Sequence, residues 1–478
     1  MKTPLATSHE ALSTLWRDAQ LPAEALSFVD LPGRDPVLPS SFAVATAAQT
    51  SLAAAALAAA EIWHRRNAGA PRQRVRVDAT HAALDSCAYF TLDGQRPNAW
   101  EKLSGLYRCG DALNAPGWVR IHANFAHHRD AALRLLGWAV GPDTERDAVQ
   151  RALREWRAED FETAAAEAGA VVAAARDFES WDAHPQGLAV AGIPLLQIER
   201  IPQASQAAPV AWPNVAADEA PLSGLRVLDL TRILAGPVAG RTLAAYGAEV
   251  MLVNSPTLPN IDAIADTSRG KLSAQIDLQI ETGREALRAL LSTAHVFMQG
   301  YRPGSLAAFG FGPIEVAALR PGIVVVSLSA YGPSGPWAGR RGFDSLVQTA
   351  SGFNLAEAAA FGAGEPKAMP LQILDHAAGY LLAFGAQAAL LRQAREGGSW
   401  QVQVSLAGVG QWLRRLGRVP QGAAAPAPAP AFDPYLETVD SGFGRLVALR
   451  HAAEFSQTPA RWARPSMPPG THEPRWTE

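Results

Sequence analysis

An α/β fold on a parallel sheet is what the sequence predicts, from three observations. Short, largely apolar runs recur through the centre of the chain, as strands covered on both faces require. Helix-patterned segments separate these runs, as parallel crossovers require. The 478 residues are 48% hydrophobic and 18% charged, enough for a sizeable core spread over two or three domains.

Taken in order, the first strong element is "SLAAAALAAA" (51–60), followed at once by the charges of "EIWHRRN". It is too short and too weakly apolar to span a bilayer, so it predicts a packed helix. "RVRVDA" then alternates as a short strand. "LRVLDL" (225–230) reads as a buried parallel strand, "TRILAGPVAG" as a loop, and "RTLAAYGAE" as a helix ending near Gly247. "VMLVN" (250–254) is a second strand, "REALRALLSTA" a helix, and "HVFMQGY" and "GIVVVSLSAYG" further strands. "LLAFGAQAALLRQ" reads as a buried helix, and "QVQVSL" as a strand after it. Ligands of such sheets bind in the loops beyond the carboxyl ends of the strands. A GxGxxG fingerprint and a Walker A motif are both missing, which argues against ordinary dinucleotide and P-loop sites.

Two linker-like stretches divide the chain, 203–224 and the Ala-Pro alternation of 421–434, which should be extended and semi-rigid. The expected units are 1–202, the linker 203–224, a sheet domain 225–420 carrying the chemistry, and a tail 421–478. A faint repeat relates the two Ala-rich helices: the segments from 45 and from 375 each run helix, basic segment, Gly-containing turn and short strand. In that alignment Asp375 lies opposite Ala45. A net charge of -3 supplies no global field for nucleic acid or an anionic membrane. The first residues lack a signal-peptide apolar region, and Cys87 and Cys109 fit neither a metal spacing nor a disulfide framework. The expectation is a reduced, cytoplasmic protein with no metal.

One residue poses the chemical question. In "LQILDHAAGY" (371–380), Asp375 sits among apolar and small residues at the mouth of a helix. Capping is the plain reading, because Asp accepts the free N–H groups of a first turn. The same position would keep the carboxylate ionised through the helix dipole and hold it ready as a nucleophile.

Five ordered segments decide between these readings: "LSGLRVLDLTRILAGPVAGRTLAAYGAEV" (222–250), "SRGKLSAQIDL" (268–278), "GYRPGSLAAFGFG" (300–312), "SLSAYGPSGPWAGRRGFDSLVQTASGF" (327–353) and "ILDHAAGYLLAFGAQAALLRQ". Together they resemble the family III CoA-transferases (CaiB/BaiF family), the group that includes formyl-CoA transferases and the enzymes of carnitine-CoA metabolism. The first part of the chain, with "GWVRIHANFAHHRDAALRLLG", is similar to the family's small domain, and the tail to its C-terminus. The resemblance implies a Rossmann-like parallel sheet domain plus a smaller α+β domain, in a trimmed tandem whose second copy holds the nucleophile. It implies Asp375 as that nucleophile, and CoA contacts at Leu234, Ala235, Lys271, Gly300, Tyr301, Arg302 and Arg341. Coenzyme A would be a co-substrate, with an acyl-CoA and a small carboxylic acid as partners, in a homodimer or an internal pseudo-dimer. Two departures stand out: Asn254 where the family has Glu, and Gln299-Gly300 where it has Glu-Asn. Racemases of the same fold carry a Gly-His-Asp motif; "GFD" (342–344) puts Phe343 in the His position, which argues against racemisation. His376 reads as a surface or supporting histidine. A non-catalytic CoA-binding partner is the remaining alternative.

Overall fold

The computed structural model describes residues 5–67, 69–202, 207–210, 212, 214–424 and 431–477. Parts of both linker-like stretches, 203–206 and 425–430 among them, lie outside the described residues. Helix α1 (Val44–Arg66) is the Ala-rich element, and all its residues but His64 and Arg65 are buried. The sheet strands are β1 (Gln197–Arg200), β2 (Arg226–Leu230), β3 (Glu249–Asn254), β4 (Lys271–Gln275), β5 (Val296–Gln299), β6 (Val324–Ser329) and β7 (Trp400–Ser405). Their order across the sheet is β4-β3-β2-β5-β6-β7-β1. All neighbours are parallel except β7 and β1. Counted from β2, the parallel strands run 3-2-1-4-5-6, the doubly wound order of dinucleotide-binding sheets, whose switch point falls between the first and fourth strands. Here that point is between β2 and β5.

Three more helices frame the sheet: α2 (Ala235–Ala245), α3 (Asp344–Ala350) and α4 (Ile373–Glu396). Helix α2 begins earlier than the sequence suggests. "LAGPVAG" reads as loop because it carries Gly and Pro, yet Pro237 falls in the first turn, where a missing N–H costs nothing. Gly236 and Gly240 are needed for the packing: a Cβ on the first would lie 2.3 Å from Thr231, and on the second 2.2 Å from the Asp229 carboxylate.

The two Ala-rich helices α1 and α4 pack on each other, and α4 also packs on α2. Alanine on both allows a close approach, and Gln387 of α4 donates to the carbonyl of Ala55 at 3.0 Å. Leu52, Leu57 and Ile62 of α1 are sealed in the core, each contributing about 1.5–3 kcal/mol over an exposed position. One apolar core therefore runs from α1 through α2 to α4. "RVRVDA" supplies Val75–Val77, which joins Val29–Asp30 and the tail strand Ala453–Phe455 in a separate small sheet.

The smaller α+β unit is an antiparallel sheet of Gly105–Cys109, Gly117–Ile121 and Val172–Ala174 with its own core. Its strand Gly117–Ile121 and strand Val172–Ala174 pack on α3, so the unit sits beside the carboxyl end of the main sheet. The tail runs along the outer strand β4: His472 donates its N–H to the Ser273 carbonyl at 2.9 Å, and Ser273 donates to His472 Nδ1 at 3.0 Å. Among the described residues no helix is long and apolar enough to cross a membrane.

Candidate functional site

Beyond the carboxyl ends of β2, β5 and β6 lies a cavity of about 340 Å³. Its walls are the loops after three strands: Leu230, Arg232 and Ile233 after β2, Gly300 to Pro303 after β5, and Leu328 to Ala330 with Arg340 to Phe343 after β6. Phe125, His127 and His128 of the small unit close the remaining side. The turn after β5 is held by Gln299, whose Oε1 accepts the Tyr301 N–H at 2.9 Å and whose Nε2 donates to Ser327 Oγ at 3.0 Å.

The cavity is electropositive. Arg232, Arg302 and Arg341 converge on it, while Arg340 leans on Trp337 and donates to backbone carbonyls of the small unit. Burial, then repulsion by Arg302, lowers the Arg341 pKa. Burial, His127, His122, Arg341 and Arg232 together push His128 down to about 3. Arginines converging on a cavity whose histidines stay neutral, through burial first and the neighbouring cations second, mark a place where a polyanion would be welcome.

Of the residues expected to contact CoA, Gly300, Tyr301, Arg302 and Arg341 line this cavity. Leu234 and Ala235 do not: both are buried at the start of α2, and the Ala235 carbonyl faces Gly379 of α4. Lys271 is also elsewhere. It is fully buried in β4, donating to the Asp229 carboxylate at 2.9 Å and the Pro237 carbonyl at 2.9 Å. The expected phosphate partner is thus an internal ion pair. Asp229 accepts from the Thr231 N–H at 3.0 Å with its other oxygen, so the pair shapes the loop that carries Arg232. Asn254 is buried and accepts from Asn260 at 2.8 Å, tying down the loop after β3.

Asp375 is not a cap. Helix α4 begins at Ile373 with Gln372 at the capping position, so Asp375 is its third residue. Its N–H donates to Asp344 Oδ2 at 3.0 Å. Asp344 opens α3, one residue beyond the cavity wall at Phe343, and also accepts from Gln348. Burial raises the Asp344 carboxyl to about 6, against the opposing pull of the Asp375 and Leu374 N–H groups, Gln348 and Arg120. Burial and then the charge of Asp344 raise Asp375 well above the usual range. The expectation of an Asp375 ionised by the helix dipole meets an opposing push here: burial and the charge of Asp344 both favour its protonated form. His376 is corrected too. It is buried, not at the surface; both ring nitrogens lack partners among the described residues, and burial holds its pKa down at about 4.

Sequence reasoning missed Arg232, Phe125, His127, His128 and Asp344 as members of one site. Arg232 had a signal, since it stands directly after the carboxyl end of the first parallel strand. Phe125 to His128 had none, because nothing local says that the small unit folds over this edge. A histidine does approach Phe343, from a different segment: the His122 ring stacks on it with centroids 3.8 Å apart. Among the described residues no group of three or more His, Cys, Asp or Glu is placed to hold a metal ion.

Comparison with known proteins gives a consistent set of relatives. The model of the family described as CoA-transferase family III matches residues 222–431. An acyl-CoA transferase of Gibberella moniliformis is 30% identical over 440 residues, covering 85% of this chain and 74% of that protein. An acetyl-coenzyme A transferase of Hypoxylon pulicicidum is 37% identical over 231 residues, 46% of this chain, and the chain spans only 39% of that relative's length. A crystal structure of a CaiB/BaiF family protein from Brucella suis aligns at 26% identity over 48% of this chain and 65% of that one, with a TM-score of 0.36.

Proposed function

The chain belongs to family III of the CoA-transferases, and from that premise we propose that it moves CoA between an acyl-CoA thioester and a free carboxylic acid, with Asp375 as the covalent carrier. The observation that carries this reading is the buried Asp344–Asp375 pair one residue behind an arginine-lined cavity at the switch point of the sheet.

The cavity suits the phosphates of CoA. Arg302 and Arg341 would meet them as charged donors, with Tyr301 and Gly300 supporting the loop. Asp375 attacks as a carboxylate, its proton passing to Asp344. An aspartyl C–O–C bond forms at the thioester carbon, the C–S bond breaks, and sulfur leaves with the electron pair as CoA thiolate. The thiolate then attacks the aspartyl carbonyl, releasing the first acid and leaving an aspartyl thioester. The acceptor carboxylate attacks that carbonyl in turn, freeing thiolate again, and the thiolate takes the new acyl group and restores Asp375. Splitting one hard substitution into such steps is the gain of covalent catalysis. Burial of the aspartate protects each reactive acyl intermediate from water.

The tandem reading follows the same line. The packing of α1 on α4, each leading into a short strand, is what two related halves would give inside one chain. The small unit of the first half closes the cavity of the second.

The deciding experiment incubates the protein with a panel of acyl-CoAs, traps with hydroxylamine and maps the adduct by mass spectrometry. A modified peptide containing Asp375 is expected, and Asp375→Ala should abolish both adduct and transfer while unfolding as cooperatively as the parent. Undiminished turnover in that variant would remove Asp375 from the mechanism. CoA binding without any adduct would return the racemase reading.

A further inference from the structure

The residues that close the cavity from the small unit, Phe125, His127 and His128, stand at the mouth of one helix, Ala126–Leu135. Phe125 is its capping residue and has no side-chain acceptor to offer. The first backbone bonds run from His128 and Arg129 to the Phe125 carbonyl. Among the described residues the N–H groups of Ala126 and His127 have no partner. The first turn holds no acidic residue, and the charged groups that act on His127 are Arg341 and Arg232. A ten-residue helix thus turns its positive end, with no carboxylate in its first turn, towards the space that three arginines already share.

His128 supplies an independent observation. It is only 4% exposed, yet it lines the cavity. Its Nδ1 is sealed and has no partner among the described residues, so only Nε2 reaches the open space. Nε2 makes no hydrogen bond with the described residues either. The His127 ring, 4.1 Å away, and the Phe343 ring, 6.0 Å away, fix the plane of this imidazole. Burial first and the nearby cations second keep it neutral, so it carries one proton. A sealed N–H without an acceptor is rarer and costlier than a sealed lone pair, which assigns the proton to Nε2. The ring is therefore a donor aimed into the cavity, and the protein provides it with no acceptor.

Building on the CoA-transfer reading, we propose that the start of this helix, with the Nε2–H of His128 and the side chain of His127, binds a phosphate of CoA from the small-unit side, facing Arg302 and Arg341. Free N–H groups at a helix start are a ready anion site. A cavity of about 340 Å³ is near the small end of ligand pockets, which run from about 300 to 1,000 Å³, so it holds one end of CoA rather than all of it. The arginines select the charged end. A phosphate has oxygens enough for donors on both sides, and it keeps its charge through every step of transfer. The carboxylate of the acceptor acid is a poorer occupant, because its charge disappears when it becomes a thioester. The small unit is then a clamp on the nucleotide and not only a wall.

The test uses the full chain with two probes, CoA and phosphoadenosine diphosphate, the nucleotide end of CoA with every phosphate and no pantetheine arm. Calorimetry in low salt should show both probes weakening at least tenfold in His127→Glu, which sets a carboxylate in the first turn. That carboxylate suits the helix dipole, so the variant should melt no lower than the parent. His128→Leu should weaken both probes as well, and His128→Gln, which keeps a donor, should recover part of the loss. With acetyl-CoA as donor and glutarate as acceptor, KM for acetyl-CoA should rise in His127→Glu while KM for glutarate holds. Unchanged affinities in a folded His127→Glu would overturn the site. So would a loss for CoA with the nucleotide untouched, which would put the histidines against the pantetheine arm, or a rise confined to the KM of glutarate, which would give the place to the acid. Transfer with an unaltered KM for acetyl-CoA in His127→Glu and His128→Leu would leave CoA transfer standing without this site. Nucleotide binding that depends on His127, in a protein that transfers nothing, would leave the site standing without the transfer.

Discussion

The charge of Asp344 pushes the Asp375 carboxyl up, and that push can be measured. With Asp344 replaced by Asn, the acceptor for the Asp375 N–H survives but the negative charge does not. The upward push on Asp375 is then smaller, so the acid limb of the pH–rate profile should move to lower pH in Asp344→Asn. Stability should respond as well. A carboxyl raised in the folded state keeps a proton that the unfolded chain releases, so its contribution is best at low pH and declines as pH climbs from about 4 through 6 and beyond. Melting temperatures taken from pH 5 to 8 should therefore show Asp344→Asn gaining on the parent as pH rises; a constant difference would contradict the raised Asp344 carboxyl. At the cavity, Arg302→Ala and Arg341→Ala should each raise KM for acyl-CoA on the order of tenfold, read from steady-state kinetics in low salt. The sequence placed Gly300 to Arg302 and Arg341 near one another because they sit in consecutive loops at one end of a parallel sheet. It misjudged Lys271, whose burial depends on a partner in another strand, and it had no access to His128, which reaches the site only through docking of the small unit.

Elements behave less uniformly than their compositions suggest. Helices α1 and α4 are both Ala-rich and were legible as buried helices, since neither shows a polar face. Helix α2 was shortened in the sequence reading because Gly and Pro are breakers in most contexts; here they serve a first turn and two close approaches. The same close packing makes a sharp prediction at Gly379. In an exposed helix Gly→Ala gains up to about 1 kcal/mol. At this position a Cβ would lie 2.6 Å from the Ala235 carbonyl oxygen and 2.8 Å from Val238, so overpacking should win. Gly379→Ala should lose about 1–3 kcal/mol in denaturant unfolding; a stabilised variant would show that α2 and α4 can part without cost.

On the scale of the molecule, the boundaries seen in sequence are not boundaries in space. Strand β1 comes from the segment before the first linker, yet it completes the sheet of the segment after it. The tail strand Ala453–Phe455 pairs with Val75–Val77 of the opposite end of the chain. Composition picked out the two stretches by their Pro-rich or polar character, but it could not tell that the segments on either side of them share one core. Residues 1–202 made alone should therefore fail to unfold cooperatively, because α1 would expose a helix that is apolar all round; circular dichroism during thermal melting would decide it. The wrapping has a further result at the rims of the sheet. One rim ends in a four-residue strand with Glu199 and Arg200 exposed, and at the other the Ser273 backbone groups are occupied by His472. Open rims invite strands from neighbouring molecules, the first step towards aggregates, whereas short charged rims and covered rims refuse them. The last stretch of the chain thus guards solubility by covering a rim.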